Sequence, residues 1–377
     1  ATHGAVDQVN AHPLGDCTGR ISVAHNGVVE NAEALRITLE AEGHVFAGDV
    51  DSEVIAHLVE DSLREQSSLH TALETAVASL VGSWAIVVLD AVSGNVAAAV
   101  HRSPLVLGRS DDGAFVASDV NAISSWVQEF RTVEDGDSVE VTALGDHWHR
   151  HGISIVAPAA HVVRRAVAVR DAVVSGDGDQ MGAEIAEQPA VAARVLEELA
   201  DGIISGSLWR GLGLPDFDRV AVLGCGTSLN AGRVIASVLA RLGGVPTIAV
   251  VASETRETVV ERGTLLLAIS QSGETADVLR ALEDFPETSA TLLALTNSPH
   301  STLARRAGAI VDCLAGPEIG VAATKTFIAQ VLTGTCLALS ALVATGRISR
   351  DVATTITGEL RRTPERLATA ITLAQTS

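Results

Sequence analysis

Two short turns in the second half of the chain combine glycine with hydroxyl side chains. They are Gly224-Cys225-Gly226-Thr227-Ser228 and Ser270-Gln271-Ser272-Gly273-Glu274-Thr275. Each follows an apolar run that reads as a strand, Val220–Leu223 and Leu265–Ile269, and each precedes a segment that reads as a helix. The start of a helix offers unpaired N–H groups and the positive end of its dipole, while glycine lets the backbone approach a ligand closely. Ser and Thr add neutral donors, so the chemistry implied is the holding of a phosphate. Ser228 and Thr275 are also residue types that favour an N-cap, and for either turn alone that reading stays open. Two such turns in one sheet favour a ligand. A Walker loop is excluded by the absence of GxxxxGKS/T, and a dinucleotide fingerprint by the absence of GxGxxG.

A second constellation lies near the start: Thr2-His3-Gly4, Asn10-Ala11-His12-Pro13, His25-Asn26-Gly27 and Asp51-Ser52-Glu53-Val54. Read from local rules alone, Asn26-Gly27 is a two-residue hairpin turn between Ile21–Ala24 and Val28–Val29. Asp51 is then a helix N-cap, with Val54 opening the helix, and His3, His12 and His25 are scattered surface residues.

The elements that must carry these residues fall into three regions. Residues 1–150 hold strand candidates at Trp84–Asp90, Val96–His101 and Ala114–Ala117, with helical spacing over Asn31–Glu42 and Ser52–Glu65, which predicts a layered α/β domain. Residues 151–215 read as a linker and a helical lead-in over Ala183–Ile204, interrupted by Pro189, so a helix beginning near Gln188 is expected. Residues 216–346 alternate strand and helix. The strands are placed at Val220–Leu223, Thr247–Val251, Leu265–Ile269, Thr291–Leu295 and Ala309–Val311, the helices at Asn230–Leu242, Thr275–Asp284, Ser301–Arg306 and onward from Thr324. Apolar strands separated by helices predict a doubly wound parallel sheet. Residues 347–377 form a helical tail.

Composition narrows the function class. The 46 acidic and 26 basic residues give a formal charge of −20, which repels nucleic acid and anionic lipid. Any anionic ligand must therefore be held by local dipoles and hydroxyls. The apolar runs Ala76–Val92 and Val331–Gly346 are interrupted or shorter than the roughly 20 residues of a membrane span. The four cysteines show no zinc-type spacing, so no metal and no cofactor are expected, and their usage suits a reducing cytoplasm.

The two hydroxyl turns resemble the sugar isomerase (SIS) phosphosugar domain. Ala315-Gly316-Pro317-Glu318-Ile319-Gly320-Val321-Ala322-Ala323-Thr324-Lys325, Ser253-Glu254-Thr255-Arg256 and Met181-Gly182-Ala183-Glu184-Ile185-Ala186-Glu187-Gln188-Pro189 are similar to segments of the glucosamine-6-phosphate synthase family. The resemblance implies that Thr227, Ser228, Ser270, Gln271, Ser272 and Thr275 hold the phosphate of fructose 6-phosphate and that Val321 lines the sugar site. Ala323 stands where the family usually has a sugar-contacting serine, and Ala183 where it usually has a lysine.

The first region resembles the glutaminase domain of class II amidotransferases, an αββα fold, with Arg102-Ser103-Pro104-Leu105 and Ala117-Ser118-Asp119 matching further segments. By that resemblance Asn26 and Gly27 form the oxyanion hole, and Thr2, His3 and Asp51 hold L-glutamine. The family's nucleophile is an N-terminal cysteine that has no counterpart in the sequence as it stands. Cys17 is no substitute, since no base is apparent beside it and Asp16 disfavours a thiolate. The family's second SIS domain, with its isomerase residues, is expected beyond the tail. Lys325, the single lysine, reads as structural or phosphate-neutralising.

The expectation is an internal portion of a glutamine-dependent fructose-6-phosphate amidotransferase, from a cytoplasmic parent that is typically a homodimer. It makes no use of nucleic acid or membrane, and this portion alone is expected to be inactive and to expose apolar surface. The alternative is a non-catalytic phosphosugar-binding or regulatory module; a stand-alone sugar isomerase leaves the first region without a place.

Overall fold

The computed structural model describes residues 8–66, 68–163, 180–257, 261–285, 290–318, 320 and 322–375. Thr2, His3 and Val321 lie outside them. The chain divides into two compact units, Ala1–Arg165 and Ala166–Ser377.

Unit 1 contains β1 (Leu14–Gly15), β2 (Ile21–Val29), α1 (Ala32–Ala41), α2 (Glu53–Glu65), α3 (Leu69–Val77), β3 (Gly82–Asp90), β4 (Val96–His101), β5 (Val106–Ser110) and β6 (Gly113–Ala117). It continues through β7 (Glu129–Thr132), β8 (Asp137–Thr142), β9 (Gly145–Arg150), β10 (Ile153–Ile155) and β11 (His161–Val162). One sheet runs β1-β2-β3-β4-β8-β9-β10 and a second β11-β7-β5-β6, with every strand pair antiparallel. Alternation along the strands sends Ile21, Val23, Val29, Ile86 and Val88 onto the helices, against Val54, Ile55, Val59 and Leu73. Ala85, Ala98, Val100, Val139 and Trp148 face the opposite way and pack with Leu107 of the second sheet and Leu105 just before it. The layers are therefore helix, sheet, sheet, and the one-turn 3-10 helix Val120–Ala122 precedes Ile123 and Val127, which pack on Phe130.

The sequence reading of Asn26-Gly27 as a hairpin turn is corrected here. β2 runs unbroken through both residues, with Asn26 opposite Ala85 and Gly27 opposite Trp84. The glycine serves close approach instead: its φ is +143°, and a Cβ would sit 2.0 Å from the Ser83 carbonyl oxygen.

Unit 2 opens with α4 (Gln180–Ser205) and α5 (Ser207–Gly211), followed by β12 (Arg219–Gly224), α6 (Gly226–Gly243), β13 (Thr247–Val251), β14 (Thr264–Ser270) and α7 (Ala276–Ala281). Then come β15 (Ala290–Thr296), α8 (Thr302–Arg306), β16 (Ala309–Asp312), α9 (Lys325–Ala344), α10 (Arg350–Leu360) and α11 (Thr363–Gln375). The sheet is wholly parallel in the order β13-β12-β14-β15-β16. One face packs Val220, Val222, Leu265, Leu267 and Leu293 against α4, α6 and α9, and the other packs Ala221, Leu223, Leu266 and Ala268 against α7 and Phe285.

One further expectation is corrected. Helix α4 begins at Gln180 and passes straight through Pro189. The lost N–H and ring clash cost about 3 kcal/mol, offset by burial of Val191, Ala192, Val195 and Leu196 on α9 and the sheet. Helix α9 spans 20 residues, longer than the apolar run that announced it, because Lys325, Thr326 and Gln330 are buried as well. By length and composition alone it could cross a membrane, but most of its apolar stretch is buried inside unit 2, as expected of a helix apolar on all sides.

Candidate functional site

In unit 2 the order β13-β12-β14-β15-β16 reverses direction between β12 and β14. Such a switch point leaves a crevice at the carboxyl edge, where ligands of open parallel sheets bind. The two hydroxyl turns leave these two neighbouring strands, so the fold brings Thr227, Ser228, Ser270, Gln271, Ser272 and Thr275 to the same edge.

Helix α6 starts at Gly226, earlier than the apolar spacing indicates, with Cys225 as its N-cap and no side-chain cap. Thr227 is exposed in the first turn, where the leading N–H groups of a helix have no partner within it. Ser228 is buried and is not a cap; its Oγ accepts from Gln330 Nε2 of α9 at 3.1 Å. Thr275 does occupy the N-cap of α7 but makes no cap bond. Its Oγ1 lies 2.8 Å from Ser270 Oγ, which also accepts the Gly273 N–H at 2.9 Å. Ser272 Oγ accepts the Glu274 N–H at 3.1 Å. The β15–α8 connection braces this turn: Asn297 N–H donates to Gln271 O (3.0 Å), and Thr302 N–H to Glu274 Oε1 (2.7 Å). Gly273 has φ +66°, and a Cβ there would meet Ser301 Oγ at 2.0 Å.

The segment before α9 is fastened by α4. Glu184 Oε1 accepts the Gly320 N–H at 2.9 Å, and Arg194 donates to the carbonyls of Leu314 and Ala315 at 2.9 and 3.2 Å. Glu318 Oε1 caps α9 by accepting the N–H groups of Thr324 and Thr326 at 2.9 and 3.2 Å. Lys325 is buried, with Nζ 2.5 Å from Glu187 Oε2, so its charge is used inside the scaffold. Sequence reading gave Lys325 a structural or phosphate-neutralising role but had no signal for this pairing.

In unit 1, Asp51 is not the cap of α2, whose N-cap position is Ser52. Its Oδ2 accepts the Val29 N–H at 2.8 Å and its Oδ1 the Ser52 hydroxyl at 3.1 Å. The Val29 N–H thus points away from β3. Two residues earlier on the same extended strand, the Gly27 N–H points to that same edge. No strand among the described residues pairs there beyond Ser22 and Val23. The Asn26 side chain is exposed. Gly27, Asn26 and Asp51 therefore border one open edge. His25, read as a surface residue, is buried, with Nδ1 2.7 Å from Ser52 Oγ. Burial lowers its pKa to about 4 against the pull of Asp51.

Glu53 was missed by sequence reading. It accepts the N–H groups of Ala47 and Gly48 at 2.6 and 2.8 Å and so fixes the loop that leads to Asp51. The expectation that Cys17 lacks a base is also overturned. Its Sγ lies 3.5 Å from Nδ1 of both His44 and His57. Burial pushes its thiol pKa up, helped by Glu60, and the Val45 N–H opposes the shift. The residues come from separate segments, so no short spacing announces them; only His57-Leu58-Val59-Glu60, with its ends on one helix face, was available as a signal.

Comparison with known proteins separates the same two regions. Residues 5–125 match the glutamine amidotransferase domain family, and residues 214–340 match the SIS domain family. Across 98% of its length the chain is 37% identical to the glutamine–fructose-6-phosphate aminotransferase (isomerizing) of Aeropyrum pernix, of which it covers 61%. It is 38% identical to that of Halobacterium salinarum over 97% of its length, again covering 61%. The protein of the same name from Pseudomonas syringae pv. tomato is 36% identical over 99% of the chain, which covers 62% of it. The chain thus spans about three fifths of the length of the curated relatives it matches. Among solved structures, the C-terminal domain of glucosamine-fructose-6-phosphate aminotransferase from Francisella tularensis aligns with a TM-score of 0.48 and 32% identity, covering 52% of this chain and 56% of that one.

Proposed function

We propose that this chain, a glucosamine-6-phosphate synthase-like protein with an amidotransferase domain followed by a SIS domain, serves the transfer of glutamine's amide nitrogen to fructose 6-phosphate. The observation that carries this reading is the pair of hydroxyl turns at the β12/β14 switch point, in one chain with the open β2 edge bordered by Gly27 and Asp51.

In unit 2 the phosphate sits over the α6 N-terminus and the turn after β14. Thr227, Ser228, Ser270, Gln271, Ser272 and Thr275 supply hydroxyl, amide and backbone donors, and Val321 borders the sugar. Neutral donors suit this task in a chain of charge −20, because they bind the dianion without a basic field. Ser270 and Ser272 each accept a backbone N–H, which orients their own hydroxyl protons toward other acceptors.

In unit 1 the Gly27 N–H and the Asn26 side-chain amide donate to the glutamine carbonyl oxygen as it becomes negative. Asp51 pairs with the α-amino group, with Thr2 and His3 contributing to the same site. Asp51 is preorganised for this role because Val29 and Ser52 already hold its carboxylate. Cys17 has its own partners in His44, His57 and Val45, and is not assigned the attack on the amide.

Thermal unfolding of the full chain tests the reading. Fructose 6-phosphate should raise the midpoint of unit 2 in a concentration-dependent way, while fructose leaves it unchanged. Equal response to both sugars, or to neither, would count against it.

A further inference from the structure

Cys17 in the β1–β2 turn, His44 in the α1–α2 connection, and His57 and Glu60 on α2 converge on one point, although the proposed reaction uses none of them. His44 Nδ1 and His57 Nδ1 are 3.2 Å apart. Glu60 Oε2 lies 3.2 Å from the first and 3.5 Å from the second. Cys17 Sγ is 3.5 Å from each. All four ligand atoms lie within 4.8 Å of one another.

These separations match the edges of a small tetrahedron. Zinc bonds of about 2.0–2.1 Å to N or O and about 2.3 Å to S place N···N and N···O neighbours about 3.3 Å apart, and S···N neighbours about 3.5 Å apart. The five edges given above fall between 3.2 and 3.5 Å. Two imidazoles, a thiolate and a carboxylate also form a donor set that zinc favours.

The surroundings suit ligation. His44 Nε2 is 3.0 Å from Asp61 Oδ1, an ion-pair contact without the alignment of a hydrogen bond, and His57 Nε2 is 3.8 Å from Glu53 Oε1. Carboxylates on the outer nitrogens favour protons there and leave both Nδ1 lone pairs facing inward. The Val45 N–H donates to Cys17 Sγ at 3.3 Å, and the Cys17 N–H donates to Glu60 Oε2 at 3.2 Å. Both imidazoles are only 1% exposed, and the Phe46 ring covers His57 at a centroid distance of 4.2 Å. Without a cation, only hydrogen bonds among the thiol and the two Nδ1 atoms hold the cluster together.

We propose that Cys17, His44, His57 and Glu60 form a closed, four-ligand site for a divalent transition metal, zinc by its ligand set. The ion joins the β1–β2 turn and the α1–α2 connection to α2, and so steadies the loop that carries Asp51. Binding displaces the thiol proton to solvent. None of its four ligands takes part in the proposed reaction, which the site touches only through that loop.

The test uses the full chain, loaded with zinc and dialysed, with metal measured by mass spectrometry and Co²⁺ titrated as a spectroscopic substitute. The expected result is one zinc per chain, with intense tetrahedral cobalt bands and a thiolate charge-transfer band. Cys17→Ser should remove that band and weaken binding at least 100-fold. Substoichiometric metal, a weak octahedral cobalt spectrum, or unchanged affinity in Cys17→Ser would overturn the proposal. Should the variant misfold, alkylation of the wild-type chain followed by peptide mapping decides the matter. Zinc should slow labelling of Cys17 more than tenfold, and a labelling rate indifferent to zinc would mark an imidazole-paired thiol and overturn the metal site.

Discussion

Ser270 Oγ and Thr275 Oγ1 are 2.8 Å apart, joined across the turn that leaves β14. The contact closes a small ring of hydroxyl and backbone groups, because Ser270 Oγ also accepts the buried Gly273 N–H. Ser270→Ala strands that N–H and should destabilise unit 2 by about 1–3 kcal/mol in urea titrations. Thr275→Val keeps the shape and leaves the Gly273 bond intact, so its effect on stability should be smaller. Both should weaken fructose 6-phosphate about tenfold, which is about 1.4 kcal/mol. A Thr275→Val chain that binds as well as the parent would remove Thr275 from the phosphate site.

Gly27 and Ser83 make a second pair whose outcome is set by geometry. A Cβ at position 27 would lie 2.0 Å from the Ser83 carbonyl oxygen, and the φ of +143° is itself costly for any other residue. Gly27→Ala should therefore destabilise unit 1 by about 3 kcal/mol or more while leaving unit 2 folded. Separate unfolding transitions in calorimetry would show this; a variant with both transitions unmoved would contradict the backbone placement.

Lys325 and Glu187 should respond asymmetrically. The ammonium is 4% exposed and the carboxylate 37%. Glu187→Ala leaves a buried charge without its partner and should cost about 3–5 kcal/mol. Lys325→Met removes the buried charge and leaves a carboxylate that water can reach, so it should cost less. Equal losses in chemical denaturation would argue against a stranded buried ammonium as the source of the cost.

His25 gives unit 1 an acid sensitivity of defined sign. Burial lowers its folded pKa to about 4, below the unfolded value of 6.5. Between those values the unfolded chain binds a proton that the folded chain does not. Stability present above pH 6.5 is therefore lost as pH falls toward 4, by about 3 kcal/mol in total. His25→Asn should show a smaller loss between pH 7 and pH 4.5, measured as urea midpoints. Identical pH profiles for variant and parent would contradict a buried neutral imidazole.

The parallel sheet was the most legible part of the molecule. Its strands are buried on both faces and read as continuous apolar runs, so Thr247–Val251 was placed to the residue and the others to within one. Strands β7, β10 and β11 went unseen because they are short and partly exposed. Asn26-Gly27 carried a strong turn signal, yet nine residues of pairing with β3 hold it extended. Pro189 was read as a helix start, although the packing of Val191, Ala192 and Val195 just beyond it outweighs the break. The hydroxyl turns could be found because each lies within six residues of chain, whereas Cys17, His44 and His57 become neighbours only after folding.

The central claim, that the turns after β12 and β14 grip the phosphate of fructose 6-phosphate, is tested most directly by isothermal titration calorimetry of the full chain. Fructose 6-phosphate should bind with one site per chain, fructose should give no measurable heat, and Ser272→Ala should weaken binding about tenfold. Binding of fructose 6-phosphate that is indifferent to Ser272→Ala and to loss of the phosphate, or no binding at all, would contradict it.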